Sequence, residues 1–158
     1  MKILVATDGS DFSKAAINGL ANIVANPETT VFKIVSAVEF PMMMPTNGFI
    51  GASADYYGEI EKAGHGQAKE SAEHAETQIR SLFPNHALNI TAEVISGSPQ
   101  RVLVEKAAEW GADLIVVGSH GYGFWSRTLL GSVSNSVVHH APCSILVVRT
   151  AATKTQGK

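Results

Sequence analysis

Gly118, Ser119, His120 and Gly121 are followed, after nine further residues, by Gly131, Ser132, Val133 and Ser134. Residues 114–117 ahead of this stretch are apolar and rich in β-branched side chains, as expected of a short buried strand. Residues 133–139 behind it read as a helix, with Ser132 or Ser134 available as its N-cap. The glycines therefore stand where a strand ends and a loop returns to a helix start. Glycine admits positive φ and lets backbone N–H groups approach a ligand with no Cβ in the way. A helix start adds free N–H donors and the positive end of a dipole. Such an arrangement can cradle a phosphate. The same glycines also suit a plain strand end and a capped turn, and spacing alone leaves both open. His120, inside the loop, either donates to phosphate or sugar oxygens or covers the loop in solvent. Asp8, in the turn Asp8-Gly9-Ser10, can accept from hydroxyls or an amine, or can bond its own backbone as a turn former.

Other nucleotide and catalytic motifs are missing from the sequence. No Gly-Lys-Ser/Thr triplet closes a P-loop. Gly64-His65-Gly66 is followed by Lys69 rather than a third glycine and has no strand ahead of it, so the dinucleotide fingerprint is absent. There is no Gly-x-Ser-x-Gly elbow. These absences argue against a conventional kinase, dehydrogenase or hydrolase, and no catalytic residue is assigned. His139 and His140 are adjacent, so on a helix they point about 100° apart and make a poor metal pair. No metal ligand is assigned either.

Positioning the glycine loop requires a particular order of elements. Residues 2–7 form an apolar strand ending at Asp8-Gly9-Ser10. Asp11 or Ser13 can cap the helix that follows, with Ala15, Ala16, Ile17, Leu20, Ile23 and Val24 at helical spacing. Asn26-Pro27 stops it. Val31–Val38 is a second strand, apolar enough for cover on both faces. Residues 40–66, with Pro41, Met42, Met43, Met44 and Pro45, read as a long loop, and the triple methionine could be a soft lid or partner surface. Residues 67–82 form a helix rich in Ala, Glu and Gln, ended by Pro84. Residues 88–95 alternate as a third strand. Gly97-Ser98-Pro99 then places Ser98 at an N-cap and Pro99 at the first helical position, and that helix closes at Gly111. After the fourth strand, the glycine loop and its helix, Ser144–Val148 is the fifth strand. Residues 151–158 read as a flexible tail. Strictly alternating strands and helices favour an α/β fold with a parallel sheet covered on both faces. Ligands in such sheets bind beyond the carboxyl ends of strands, where the strand order reverses. If the first and fourth strands are neighbours, Asp8 and Gly118 flank one crevice.

Composition narrows the classes further. A chain of 158 residues with 45% hydrophobic and 16% charged residues fits one domain, over residues 1–150, that buries roughly 68–70% of its unfolded surface. A formal charge of −2 gives no basic footprint for nucleic acid or acidic membranes. The apolar run 3–6 is too short for a signal sequence, and no stretch approaches the ~20 apolar residues of a membrane span. A single cysteine, Cys143, excludes an internal disulfide and suits a reducing, cytoplasmic setting.

Gly118-x-x-Gly121, nine residues, then Gly131-Ser132 resembles the ATP-binding signature of the universal stress protein family. The opening Ile3-Leu4-Val5-Ala6-Thr7-Asp8-Gly9-Ser10, the turn Gly97-Ser98-Pro99 and the closing block from His140 to Val148 are similar to that family as well. The four blocks occur in the right order and span nearly the whole chain outside residues 40–66 and the tail. The resemblance implies an open, doubly wound, Rossmann-like five-stranded sheet of strand order 3-2-1-4-5. It implies that Gly118, Gly121, Gly131 and Ser132, with the amides of Val133 and Ser134, hold the triphosphate and ribose of ATP. Asp8, with Ala6 and Thr7, would lie beside the nucleoside. Val38 would meet the adenine edge through its backbone, and Mg2+ would ride on the phosphates. The family tends to dimerise through its last strand, here Ser144–Val148. The expected function is an ATP-binding stress-response regulator acting by conformation or partner binding. The alternatives are a slow ATPase or nucleotidyl-transferring enzyme assisted by His120 or Asp8, and a nucleotide-free scaffold gripping a partner through residues 42–44. A bulky residue at Gly118 is expected to abolish binding while the fold survives.

Overall fold

The computed structural model of the protein describes residues 1–40, 54–121 and 130–149, with the side chains of 54–57 outside that description. The expectations placed on residues 42–44 and on the tail 151–158 lie outside the described residues. The elements are β1 (Lys2–Ala6), α1 (Asp11–Gly19), β2 (Val31–Val38), α2 (Ala54–Leu82), β3 (Asn89–Ser96), α3 (Pro99–Trp110), β4 (Leu114–Gly118), α4 (Ser132–His140) and β5 (Ser144–Val148). Short 3-10 turns at Leu20–Asn22 and Pro27–Thr29 join α1 to β2. The five strands pair in parallel in the order β3-β2-β1-β4-β5. This is the expected α/β sheet, with its reversal of strand order between β1 and β4.

Strand alternation builds two cores. Ile3 and Val5 of β1 join Phe32, Ile34 and Val116 on one face, beneath Ile17 of α1 and Ala72, Ala75 and Ile79 of α2. Leu4 and Ala6 join Val35, Ile115 and Val117 on the other, beneath Val102, Leu103 and Ala107 of α3 and Val137 of α4. Successive residues of a strand point to opposite faces, so a run apolar at every position fits only a sheet covered twice.

Two local expectations are corrected. The stretch 40–66, read as a long loop, is helical from Ala54 onward, and Gly64-His65-Gly66 lies inside α2. Gly58, Gly64 and Gly66 conceal that helix, since each costs about 1 kcal/mol against alanine. Gly64 has a packing reason: a Cβ there would lie 3.0 Å from the Phe40 ring and 3.3 Å from Val38. The N-cap of α1 is Ser10 rather than Asp11 or Ser13, and its hydroxyl accepts from the Ser13 N–H at 3.3 Å. The Asp8 carboxylate accepts from the Ser10 N–H at 3.0 Å, so the turn delivers the chain to the helix one residue early.

A charged cluster fastens α3 to the middle of β2 and β3. Glu93 of β3 takes one ammonium from Lys33 of β2 and another from Lys106 of α3, the latter at 3.1 Å. The Trp110 ring lies 5.3 Å from the Lys33 ammonium and 5.6 Å from that of Lys2, within cation–π range. The hydrogen bond from Lys33, helped by Lys106, holds the Glu93 carboxyl below its ordinary 4.5, against the opposing effect of burial. A depressed carboxylate stabilises the fold above its unfolded pKa, and that contribution is lost as pH falls through the folded value. Wild type should therefore lose more urea resistance than Glu93→Gln between about pH 6 and pH 3. Equal losses in the two proteins would count against this coupling.

At the carboxyl end of β4, α1 crosses closely. A Cβ on Gly118 would lie 2.7 Å from the carbonyl carbon and oxygen of Phe12 and 2.9 Å from its Cβ. Backbone cannot swing aside as a side chain can, so Gly118→Ala is an overpacking change expected to cost about 1–3 kcal/mol. On this contact, the fold expected to survive a bulky residue at 118 would do so destabilised. Denaturant unfolding of Gly118→Ala checks this, and an unchanged midpoint would contradict it.

Candidate functional site

Beyond the carboxyl ends of β1 and β4 lies a cavity of about 370 Å3. Its apolar lining comes from alternate strand positions and from the start of α3: Ala6, Val35, Ala37, Val117, Pro99 and Leu103. Its polar lining comes from the β1–α1 turn, the glycine loop and the start of α4. The strand-order reversal opens this space, because α1 and α4 leave β1 and β4 toward opposite faces.

The β1–α1 turn is held by its own hydrogen bonds. Thr7, buried, donates its hydroxyl to Ser13 Oγ at 3.3 Å and accepts from the Gly9 N–H at 3.2 Å. Ser13 in turn donates to the Ser10 carbonyl at 2.9 Å. Asp8 spends Oδ1 on Ser10, while Oδ2 lies where a Cβ on Gly121 would stand, at 2.7 Å. Asp8 is thus a turn former through one oxygen and presents the other to the glycine loop.

At Gly118, Gly121 and Gly131 the glycine loop works by missing side chains rather than by special torsions. Positive φ occurs at Gly9, Gly97 and Gly111, and Gly118, Gly121 and Gly131 are not among them. Instead, Gly118 admits Phe12, Gly121 admits Asp8, and a Cβ on Gly131 would press to 3.2 Å on His120 Cα. The Gly131 N–H donates to the Ser119 carbonyl at 2.8 Å, tying the two ends of the loop together. The Ser119 N–H donates to the Val148 carbonyl at 2.9 Å, continuing the sheet into the loop. The His120 ring sits 5.3 Å from that of Phe12, with Nδ1 3.2 Å from Ser119 Oγ.

The start of α4 differs from the expected cap. Gly131, not Ser132 or Ser134, is the N-cap, and no side chain accepts there. Ser134 instead turns its hydroxyl to the Ser119 carbonyl at 2.9 Å and the Gly131 carbonyl at 3.1 Å. The first N–H groups of a helix have no carbonyl behind them within the helix, and here Ser132, Val133 and Ser134 carry them to the cavity wall. One side of the cavity therefore presents backbone donors at the positive end of a helix dipole, and the remainder is apolar. The arrangement fits a molecule with an anionic end and a flat, less polar body. Among the described residues no three His, Cys, Asp or Glu side chains converge as a metal site.

Of the residues singled out from sequence, Ala6, Thr7, Asp8, Gly118, His120, Gly121, Gly131, Ser132, Val133 and Ser134 all line this cavity. Val38 does not, and its carbonyl accepts from the Gly97 N–H at 2.8 Å. Ala37 and Val35 line the cavity from β2 in its place. Sequence reasoning also passed over Ser13, Pro99, Leu103 and Val117. Pro99 was within reach, since it follows directly on the Gly97-Ser98 turn, whereas the others look like ordinary core or cap positions.

The chain matches the model of the universal stress protein family over residues 1–149. It is 31% identical to universal stress protein MJ0531 of Methanocaldococcus jannaschii over 148 residues, covering 94% of this chain and 81% of that protein. It is 28% identical to a universal stress protein assigned in Staphylococcus epidermidis, covering 94% of this chain and 83% of that one. Among solved structures, a universal stress protein in complex with cAMP superposes with a TM-score of 0.65 at 27% identity, over 96% of this chain and 98% of the other. An Arabidopsis thaliana family protein with AMP bound superposes at 0.68 with 18% identity, over 100% and 97% of the two chains, which speaks to the fold alone. With the family match running from the first residue through β5, the chain belongs to the universal stress protein family.

Proposed function

We propose that the protein is a nucleotide-binding regulator of stress responses, taking ATP in the crevice between β1 and β4 and acting through nucleotide-dependent conformation or partner binding. The observation that carries this is the start of α4, where three successive residues reach a 370 Å3 cavity behind a glycine cap that offers no side-chain acceptor. A related structure holds cAMP, which supports a nucleotide over a simple anion.

In this reading the N–H groups of Ser132, Val133 and Ser134 donate to phosphate oxygens, and the absent Cβ atoms of Gly121 and Gly131 leave the approach open. His120 donates to the same oxygens or to the sugar. Asp8 Oδ2 accepts from a ribose hydroxyl, while Oδ1 stays on Ser10 and fixes the carboxylate plane. The base lies against Ala37, Pro99 and Leu103. Mg2+ rides on the phosphates, neutralising their charge without a protein cage. Among the described residues no side chain is assigned to activating a water, and turnover is expected to stay below about one per second. The protein works in the cytoplasm as a homodimer whose β5 edges (Ser144–Val148) pair antiparallel, covering an apolar edge that would otherwise invite association.

Ser132→Asp separates binding from folding. Ser132 is exposed, and a carboxylate in the first helical turn favours the dipole, so melting temperature should hold or rise. The same charge faces the phosphates, and affinity for a fluorescent ATP analogue should fall by about tenfold or more. Competition with AMP and cAMP ranks the ligands. Absence of saturable binding by wild type below about 1 mM, or undiminished binding by Ser132→Asp, would defeat the proposal.

A further inference from the structure

A second cleft, of about 270 Å3, lies between α1 and α2, on the face of the sheet opposite α3 and α4. Its origin is visible in the surface of α2. Ala68, Ala72, Ala75 and Ile79 recur at intervals of four, three and four, and are buried. The set one residue earlier, Gln67, Ser71, His74 and Gln78, follows the same intervals along the cleft. That spacing is the seam by which helices pack on each other, yet every member here is polar.

Gln78 closes one end of the cleft, donating from Nε2 to the Lys14 carbonyl at 2.8 Å and to Asn18 Oδ1 at 2.7 Å. Ser71 is spent on its own helix, donating to the Gln67 carbonyl at 2.9 Å. Gln67, Glu70 and His74 on α2, Lys14 on α1 and Thr7 of the β1–α1 turn make up the rest of the polar side-chain lining. Lys14 pairs with Asp11 of its own helix at 3.3 Å, and among the described residues no ion pair joins Lys14 to Glu70. One wall thus carries a cation and the other a carboxylate, over a small apolar floor of Ile17 and Ala75. A ligand of a single sign would satisfy one wall and be repelled by the other. A small molecule bearing both charges, with a short aliphatic body, satisfies both.

We propose that this cleft binds a small zwitterion of the free amino-acid class, and that its occupation is felt at the nucleotide cavity. The second half of this statement rests on the nucleotide reading above. Thr7 lines both cavities and Gly9 lines the second. The two are bonded through the Gly9 N–H and Thr7 Oγ1 at 3.2 Å, and Asp8 lies between them in the chain. A ligand seated against this turn shifts or stiffens the carboxylate that the nucleotide meets, which couples the sites in both directions.

Both charges are solvated, so affinity is about millimolar. Amide chemical shifts of isotope-labelled full-length protein, titrated with a panel of free α-amino acids to about 50 mM, are the direct test. Saturable shifts at Gly9, Ser71 and His74 are expected with at least one of them, and are lost in both Lys14→Ala and Glu70→Gln. These surface replacements leave the melting temperature unchanged. No saturable shift at these amides, or shifts that persist in either variant, overturns the site. With the amino acid saturating, the dissociation constant of the ATP analogue should change by about fivefold or more, and an unchanged constant overturns the coupling. If wild type binds no nucleotide at all, the nucleotide reading fails, while the shift titration still decides the cleft.

Discussion

The contact between Gly118 and the backbone of Phe12 sets the geometry on which the crevice depends. It brings the end of β4 against the first turn of α1 with no side chain between them. Because β1 feeds α1 through a four-residue turn, this approach also fixes Thr7 and Asp8 opposite Gly121. The Gly131 N–H then reaches back to the Ser119 carbonyl, joining the described ends of the glycine loop. Cavity, turn and helix start are consequences of one close approach between two backbones. A glycine motif read as a ligand cradle is here also a packing requirement between β4 and α1.

That double duty explains what the sequence could and could not disclose. Strands β1, β2, β4 and β5 are legible because a parallel sheet covered on both faces demands unbroken apolar runs, and Val31–Val38 and Ser144–Val148 are found at their expected bounds. The order 3-2-1-4-5 and the gathering of Asp8 with the glycine loop follow from family likeness rather than from periodicity. The first half of α2 was not legible, since three glycines and an exposed polar surface mimic a loop, and Gly64 is explained by Phe40 and Val38, more than 20 positions earlier. The caps were misread for a related reason. Serines crowd both helix starts, and only the hydrogen bonds show Ser10 capping α1 while Ser134 turns back to Ser119. Val38 stands outside the cavity because its carbonyl serves Gly97, a partner that no spacing rule could name.

Gly118, Gly121 and Gly131 have unequal reasons for being glycine. At Gly118 the obstacle is backbone, at Gly121 the tip of a carboxylate, and at Gly131 the main chain of His120 at 3.2 Å. A side chain tip can rotate away and a main chain cannot. The motif therefore combines two positions that face backbone with one, Gly121, that faces a movable carboxylate.

Helix α3 joins two environments of different character. Pro99 and Leu103 at its start belong to the crevice, and Lys106 and Trp110 at its end belong to the lysine–glutamate cluster around Glu93. The helix that carries both sets is twelve residues, about 18 Å, long. Ionic anchoring and ligand chemistry thus occupy opposite ends of α3. Acid strong enough to protonate Glu93 therefore acts first on the foot of this helix, not on the turn that lines the crevice.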